Sequence, residues 1–167
     1  MTDVREEPDP TRIAAVLRER IYGGIACLST LLVLVRADEH QPWVVVLDIA
    51  VATGALWAAS LFADLVAHLA AHGSAPRGGE LVGMGRTSGQ ILEAAVLPTL
   101  LLVLAAVGVL RTEVALRAGI WVSVVTLGVF ALLAARRTRL VWWKQATLVL
   151  ALLGIGALVV LAKTLVH

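Results

Sequence analysis

Trp57, Ser60, Asp64, His68 and His72 recur at steps of three or four residues, the spacing that lines side chains along one face of an α-helix. A carboxylate and imidazoles in such a row can do two kinds of chemistry. They can pass protons, because histidine changes charge near physiological pH. They can also offer donor atoms to a metal ion, with Asp64, His68 and His72 as the ligands. His72 precedes Gly73 at a helix end, where it faces solvent and leaves that triad open. The plainer alternative is that Asp64, His68 and His72 simply leave a membrane at its cytoplasmic edge.

Glu93, with Pro98 about one turn further on, forms a second candidate. Pro98 cannot donate a hydrogen bond to the carbonyl of Ala94, which leaves a free acceptor and a kink. Arg18, Glu19, Arg20, Tyr22 and Lys144 are expected at the same depth as Asp64, His68 and Glu93. One reading assembles Asp64, His68, Glu93 and Arg20 into a cytoplasm-facing polar pocket with Tyr22 at its edge. The competing reading is an interfacial salt-bridge cluster, such as Arg20 with Glu93, that only fixes helix order. Other motifs carry less. Gly83-Met84-Gly85 follows no strand, so a nucleotide fingerprint is unsupported. Glu113 and Arg117 have the spacing of a surface ion pair at a helix start. No serine or cysteine has a matched base, so hydrolase chemistry has no support. The single cysteine, Cys27, allows neither an intrachain disulfide nor a thiol-rich metal site.

The elements that must hold these residues are membrane helices. Apolar residues make up 59% of the 167 and charged residues 16%, with a mean hydropathy of +0.89. A soluble domain carries about 25% charged residues. The apolar residues lie in blocks long enough to cross a bilayer, which takes about 20 residues as a helix, and the blocks lack the repeating polar face of a soluble amphipathic helix. The fold class expected is an all-α polytopic membrane bundle of about five transmembrane helices with a short amphipathic helix at its N-terminus.

The segments expected are a flexible 1–9, an interfacial helix 10–20 started by Asp9 and Pro10, and crossings at 21–36, 43–71, 90–110, 114–135 and 140–166. A Gly-rich loop, 72–89, joins the second crossing to the third, and the whole is one domain. A signal peptide is the rival reading of the first crossing, since Val35-Arg36-Ala37 loosely fits a cleavage site. Asp48 and Asp64 stand 16 residues apart, about 24 Å along a helix. The hydrocarbon core is about 30 Å thick, so one or both carboxylates must meet protein or water inside it. They lie on nearly opposite sides of the helix and do not share a site.

Orientation follows from the basic residues. Arg5, Arg12, Arg18, Arg20, Arg77, Arg86, Arg136, Arg137, Arg139 and Lys144 fall on one side, and only Arg36, Arg111, Arg117 and Lys163 on the other. The N-terminus is therefore expected in the cytoplasm and the C-terminus outside. Trp43, Trp142 and Trp143 fall at expected interfaces, where aromatic residues anchor. Basic residues between apolar blocks form no face for nucleic acid, despite a net charge of +2. Ala55, Ala59, Ala63, Ala67 and Ala71 recur every fourth residue, a spacing that lets another helix approach closely in lipid.

The stretches Arg20-Ile21-Tyr22-Gly23, Leu92-Glu93-Ala94-Ala95-Val96-Leu97-Pro98 and Leu161-Ala162-Lys163-Thr164-Leu165-Val166-His167 resemble a family of small, uncharacterised actinobacterial membrane proteins. The resemblance implies a bacterial inner-membrane setting and brings neither an established activity nor site residues. Two function classes follow from the residues. One is a proton or cation channel or carrier, which five helices would serve as a homo-oligomer or through a narrow path. The other is a structural or accessory subunit of a membrane complex that docks through the alanine ladder. A membrane enzyme rests only on the metal triad, and no cofactor is expected. The partners expected are the lipid bilayer and a second copy of the chain or a larger membrane complex.

Overall fold

The computed structural model describes residues 10–37 and 41–136, together with 143, 144, 147, 150, 151 and 154. The expected flexible 1–9 and most of the expected crossing 140–166, with Trp142 and Lys163, lie outside the described residues. The elements in chain order are α1 (Pro10–Arg36), α2 (Pro42–His72), α3 (Gly78–Ser88), α4 (Gln90–Ala106) and α5 (Thr112–Arg136). The expected interfacial helix 10–20 and crossing 21–36 form one continuous helix of 27 residues. No glycine or proline interrupts them at the junction.

Among the described residues, three helical stretches are long and apolar enough to cross a membrane: Pro42–His72, Gly78–Ala106 and Thr112–Ala134. With the composition, they make this a multi-pass membrane protein. α2 begins with Pro42 in its first turn, where a missing N–H costs nothing. It ends at Gly73, whose φ of 63° is the left-handed conformation glycine adopts without steric cost. The Gly73 N–H donates to the Leu69 carbonyl at 2.9 Å.

The Gly-rich segment 72–89 is not a loop throughout, because Gly78–Ser88 is α3. Its glycines oppose this, each costing about 1 kcal/mol against alanine. Local hydrogen bonds offset the cost. The Glu80 carboxylate accepts the Arg77 N–H at 2.6 Å, which caps the first turn. The Ser88 hydroxyl donates to the Met84 carbonyl at 2.9 Å. The helix then passes into α4 through a single turn residue, Gly89, so α4 extends it further.

α1 and α4 pack directly on each other, and α2 and α5 each pack against both of them. α2 and α5 share no substantial contact, which places them on opposite flanks of the central pair. The interior holds Leu31, Ile49, Ile91, Leu102 and Pro98, all fully buried. Outward-facing Leu47, Val51, Phe62, Trp121 and Val125 are large, apolar and exposed. That inversion suits a lipid solvent, in which every backbone polar group must be satisfied within the helices.

Gly23 sets the spacing of the central pair. A Cβ placed there would run into the backbone of Ile91 on α4, its Cα 2.8 Å away. Only glycine allows this approach, the same physics that favours small residues between membrane helices. One position on, Gly24 faces Leu127 of α5, whose side chain would lie 3.0 Å from an added Cβ. Adjacent glycines thus open α1 to two different neighbours.

Candidate functional site

The charged residues of α1 gather at the end where α2 finishes and α3 and α4 begin. Arg18, Glu19 and Arg20 are consecutive, so their side chains point about 100° apart around the helix. This small fact divides the charged end into two regions.

Arg20 faces α4. Its Nη2 donates to Glu93 Oε2 at 2.7 Å and its Nε donates to Gln90 Oε1 at 2.7 Å. Gln90 Nε2 in turn donates to Glu93 Oε1 at 3.0 Å. The Arg20 guanidinium also lies 6.0 Å from the centre of the Phe130 ring on α5, within cation–π range. Side-chain exposure is 37% for Arg20 and 56% for Glu93, so this outer tie sits at the rim of the bundle. Gly23, one turn along α1, brings the two backbones together there.

Glu19 faces α2 and is only 2% exposed. Both its oxygens are engaged. Arg18 donates to Oε1 from Nε at 3.0 Å and from Nη2 at 2.8 Å, and the Ser60 hydroxyl donates to Oε2 at 2.8 Å. These bonds push the Arg18 guanidinium up from its already high ordinary value, against the opposing effect of burial. The charges of Glu19, Asp64 and Tyr22 add to that rise, so Asp64 belongs to the same electrostatic neighbourhood.

Asp64, one turn along α2 from Ser60, is half-buried. Ser88 at the end of α3 holds its hydroxyl 3.4 Å from Asp64 Oδ2, a long contact beside the 2.9 Å bond that the same hydroxyl makes to Met84. His68 follows on the same face with its side chain 9% exposed, and its Nε2 lies 3.9 Å from Glu80 Oε2 on α3. His68 stacks on His72 with ring centres 4.4 Å apart, and His72 Nδ1 lies 3.2 Å from the His68 carbonyl. The inner cluster therefore draws Arg18 and Glu19 from α1, Ser60, Asp64 and His68 from α2, and Ser88 and Glu80 from α3.

The expected single pocket of Asp64, His68, Glu93 and Arg20 is thus two sites. Asp64 and His68 share the inner cluster, whereas Arg20 and Glu93 form the expected salt bridge at the rim. Tyr22 joins neither by a hydrogen bond among the described residues and is 51% exposed. The Asp64, His68 and His72 triad does not come together on a metal. Among the described residues no group of three histidine, cysteine or acidic side chains is arranged to hold one. The imidazoles stack on each other, and the Asp64 carboxylate turns to Ser88.

Glu19 is the functional candidate that the sequence left unassigned. Its signal was its position in an Arg-Glu-Arg run entering an apolar segment, where one of three consecutive charges must face inward.

Two further expectations change. The Ala55, Ala59, Ala63 and Ala67 ladder, with Ala71, is exposed rather than packed against any described helix. Val45, Ile49 and Thr53 supply the buried face of α2 instead. Glu113 pairs with Arg111 at 3.5 Å, not with Arg117 as its spacing suggested. Asp48 lies near the opposite end of α2 from Asp64.

Deeper in the bundle, Ser29, Thr53 and Ser123 are buried. Their hydroxyls donate to the carbonyls of Ile25, Ile49 and Gly119 at 2.7, 2.7 and 2.8 Å. Each is satisfied within its own helix, and Ser123 also meets the Cys27 thiol of α1.

No protein-family model, no curated protein and no solved structure matches this chain.

Proposed function

We propose that this protein is a small channel or carrier for protons or cations, working through the inner cluster at the cytoplasmic end of a five-crossing bundle. Its setting is a bacterial inner membrane, with the N-terminus inside and the C-terminus outside. The observation that carries the reading is Glu19: a carboxylate 2% exposed, hydrogen-bonded from two helices, in a bundle whose exterior is apolar. Charges buried in a membrane bundle are costly, and they concentrate along ion and proton pathways. Beside it, Asp64 supplies a second carboxylate, with the Ser88 hydroxyl 3.4 Å from its Oδ2. His68 follows on the same face, its Nε2 3.9 Å from Glu80 Oε2.

Glu93 has a different part in this reading. Its carboxylate accepts from Arg20 at 2.7 Å and from Gln90 at 3.0 Å, so it fastens α4 to α1. The test is ion and proton flux into liposomes holding the purified protein. Flux that falls in both Asp64→Asn and His68→Ala supports the reading; an inert wild-type protein under every gradient would end it.

A second reading, an accessory subunit of a membrane complex, is favoured by one observation. The alanine ladder on α2 is exposed along its length, and small residues at that spacing suit close docking of another helix. Cross-linking through a cysteine introduced at Ala63 would capture a partner or a second copy if that face docks. Failure to capture either would remove this reading.

A further inference from the structure

We infer that the ion accepted by the inner cluster is a proton, received on the Asp64 carboxylate, rather than an alkali or divalent metal cation. The inference rests on the transport reading above and names its substrate.

The argument begins with charge. Glu19 and Asp64 are two carboxylates served by one guanidinium, Arg18. Arg18 donates from Nε and Nη2 to Glu19 Oε1, and Ser60 occupies Oε2. Glu19 is thereby fixed as the acceptor in a charge-assisted pair. The surplus negative charge falls on Asp64.

Coordination chemistry then separates the candidates. A calcium ion takes 6–8 oxygen ligands, and magnesium requires about six in near-octahedral geometry. Among the described residues no three histidine, cysteine or acidic side chains are grouped to hold such an ion. Both Glu19 oxygens already accept hydrogen bonds, and the Ser60 and Ser88 hydroxyls are oriented by donating to Glu19 and to the Met84 carbonyl. A proton needs only one lone pair, and it adds no coordination demand.

The surroundings of Asp64 give that proton a defined setting. Arg18 and Glu19 face it from α1, Ser60 and His68 flank it on α2, and Ser88 approaches from α3 with Glu80 behind His68. Gln90 and Glu93 of α4 are turned to Arg20. Neutral Asp64 would become a hydroxyl donor as well as an acceptor. The proton arrives from water at the charged end, forms the O–H bond on an Asp64 oxygen, and leaves by the reverse step.

Infrared titration of the detergent-solubilised protein tests the binding step, and liposomes test the movement. As pH falls, the wild type should gain the C=O band of a protonated carboxyl. The band should lose one component in Asp64→Asn, isolated as the wild-type minus variant difference; that component should shift in frequency in Ser88→Ala and persist in the surface control Glu113→Gln. In liposomes, a pH-sensitive dye should report proton movement that is unchanged when sodium replaces potassium. A band insensitive to both Asp64→Asn and Ser88→Ala would overturn the inference, as would flux carried by sodium or potassium without protons. An Asp64-dependent band with no flux of any ion would uphold proton binding and sink the transport reading instead.

Discussion

The inner cluster and the outer tie use the same chemistry in different surroundings. Each joins an arginine of α1 to a carboxylate, at 2.8 Å for Arg18 with Glu19 and 2.7 Å for Arg20 with Glu93. The carboxylates differ in burial, 2% exposed against 56%. An exposed pair is screened by solvent and contributes about 0.2–1 kcal/mol, which suffices to fix which helix faces which. A buried carboxylate must be fully hydrogen-bonded to persist at all. Sequence neighbours only 100° apart around one helix thus fall into different physical regimes. Burial, more than residue type, separates a fastener from a candidate ion site.

The comparison can be broken at its hinge. Gly23→Val removes the close approach of α1 to Ile91 and should disturb both regions together. Overpacking of this kind costs roughly 1–3 kcal/mol and sometimes more, read as the largest fall in thermal stability in detergent among the variants considered. A wild-type melting profile for Gly23→Val would show that the α1–α4 contact does not set the spacing.

Glu19→Ala comes next. It leaves the Ser60 hydroxyl and the inner guanidinium contacts without their acceptor, at a cost of about 1–3 kcal/mol for an unsatisfied buried partner. Glu19→Gln keeps an acceptor and should recover much of that loss. If alanine and glutamine prove equally mild, Glu19 is not buried in the working protein.

Glu93→Gln cuts only the exposed tie and should cost about 0.2–1 kcal/mol. High salt should narrow its gap from wild type, since exposed pairs are screened, and should leave the Glu19→Ala gap nearly unchanged. The smallest effect belongs to Arg111→Ala, whose 3.5 Å pair with Glu113 is exposed on both sides. It should sit within measurement error of wild type, and a clear loss there would undermine the ranking by burial.

The membrane class, the spans of α2 and α5, and the start of α4 were legible in the sequence because hydropathy and the end signals agree. Pro42 and Gly73 mark the ends of α2 without ambiguity. α3 was not legible, since glycine content argues against a helix and only Glu80 reaching back to the Arg77 N–H, with tertiary contact to α2, reverses that. The row of Ser60, Asp64 and His68 was legible from its period, and so was the Arg20–Glu93 pair from its depth. The split into two regions was not. It depends on the rotation of α1 about its axis, which the close contact of Gly23 with Ile91 fixes and no periodicity announces. The alanine ladder was legible as a feature, yet its spacing could not say whether its own bundle would cover it.

The most direct measurement is proton flux into liposomes for wild type, Asp64→Asn, Glu19→Gln and Glu93→Gln, each corrected for the amount of folded protein. The account predicts flux in the wild type that is lost in Asp64→Asn and Glu19→Gln and largely retained in Glu93→Gln. Flux that survives in both inner-cluster variants, or that fails in Glu93→Gln alone, would contradict it.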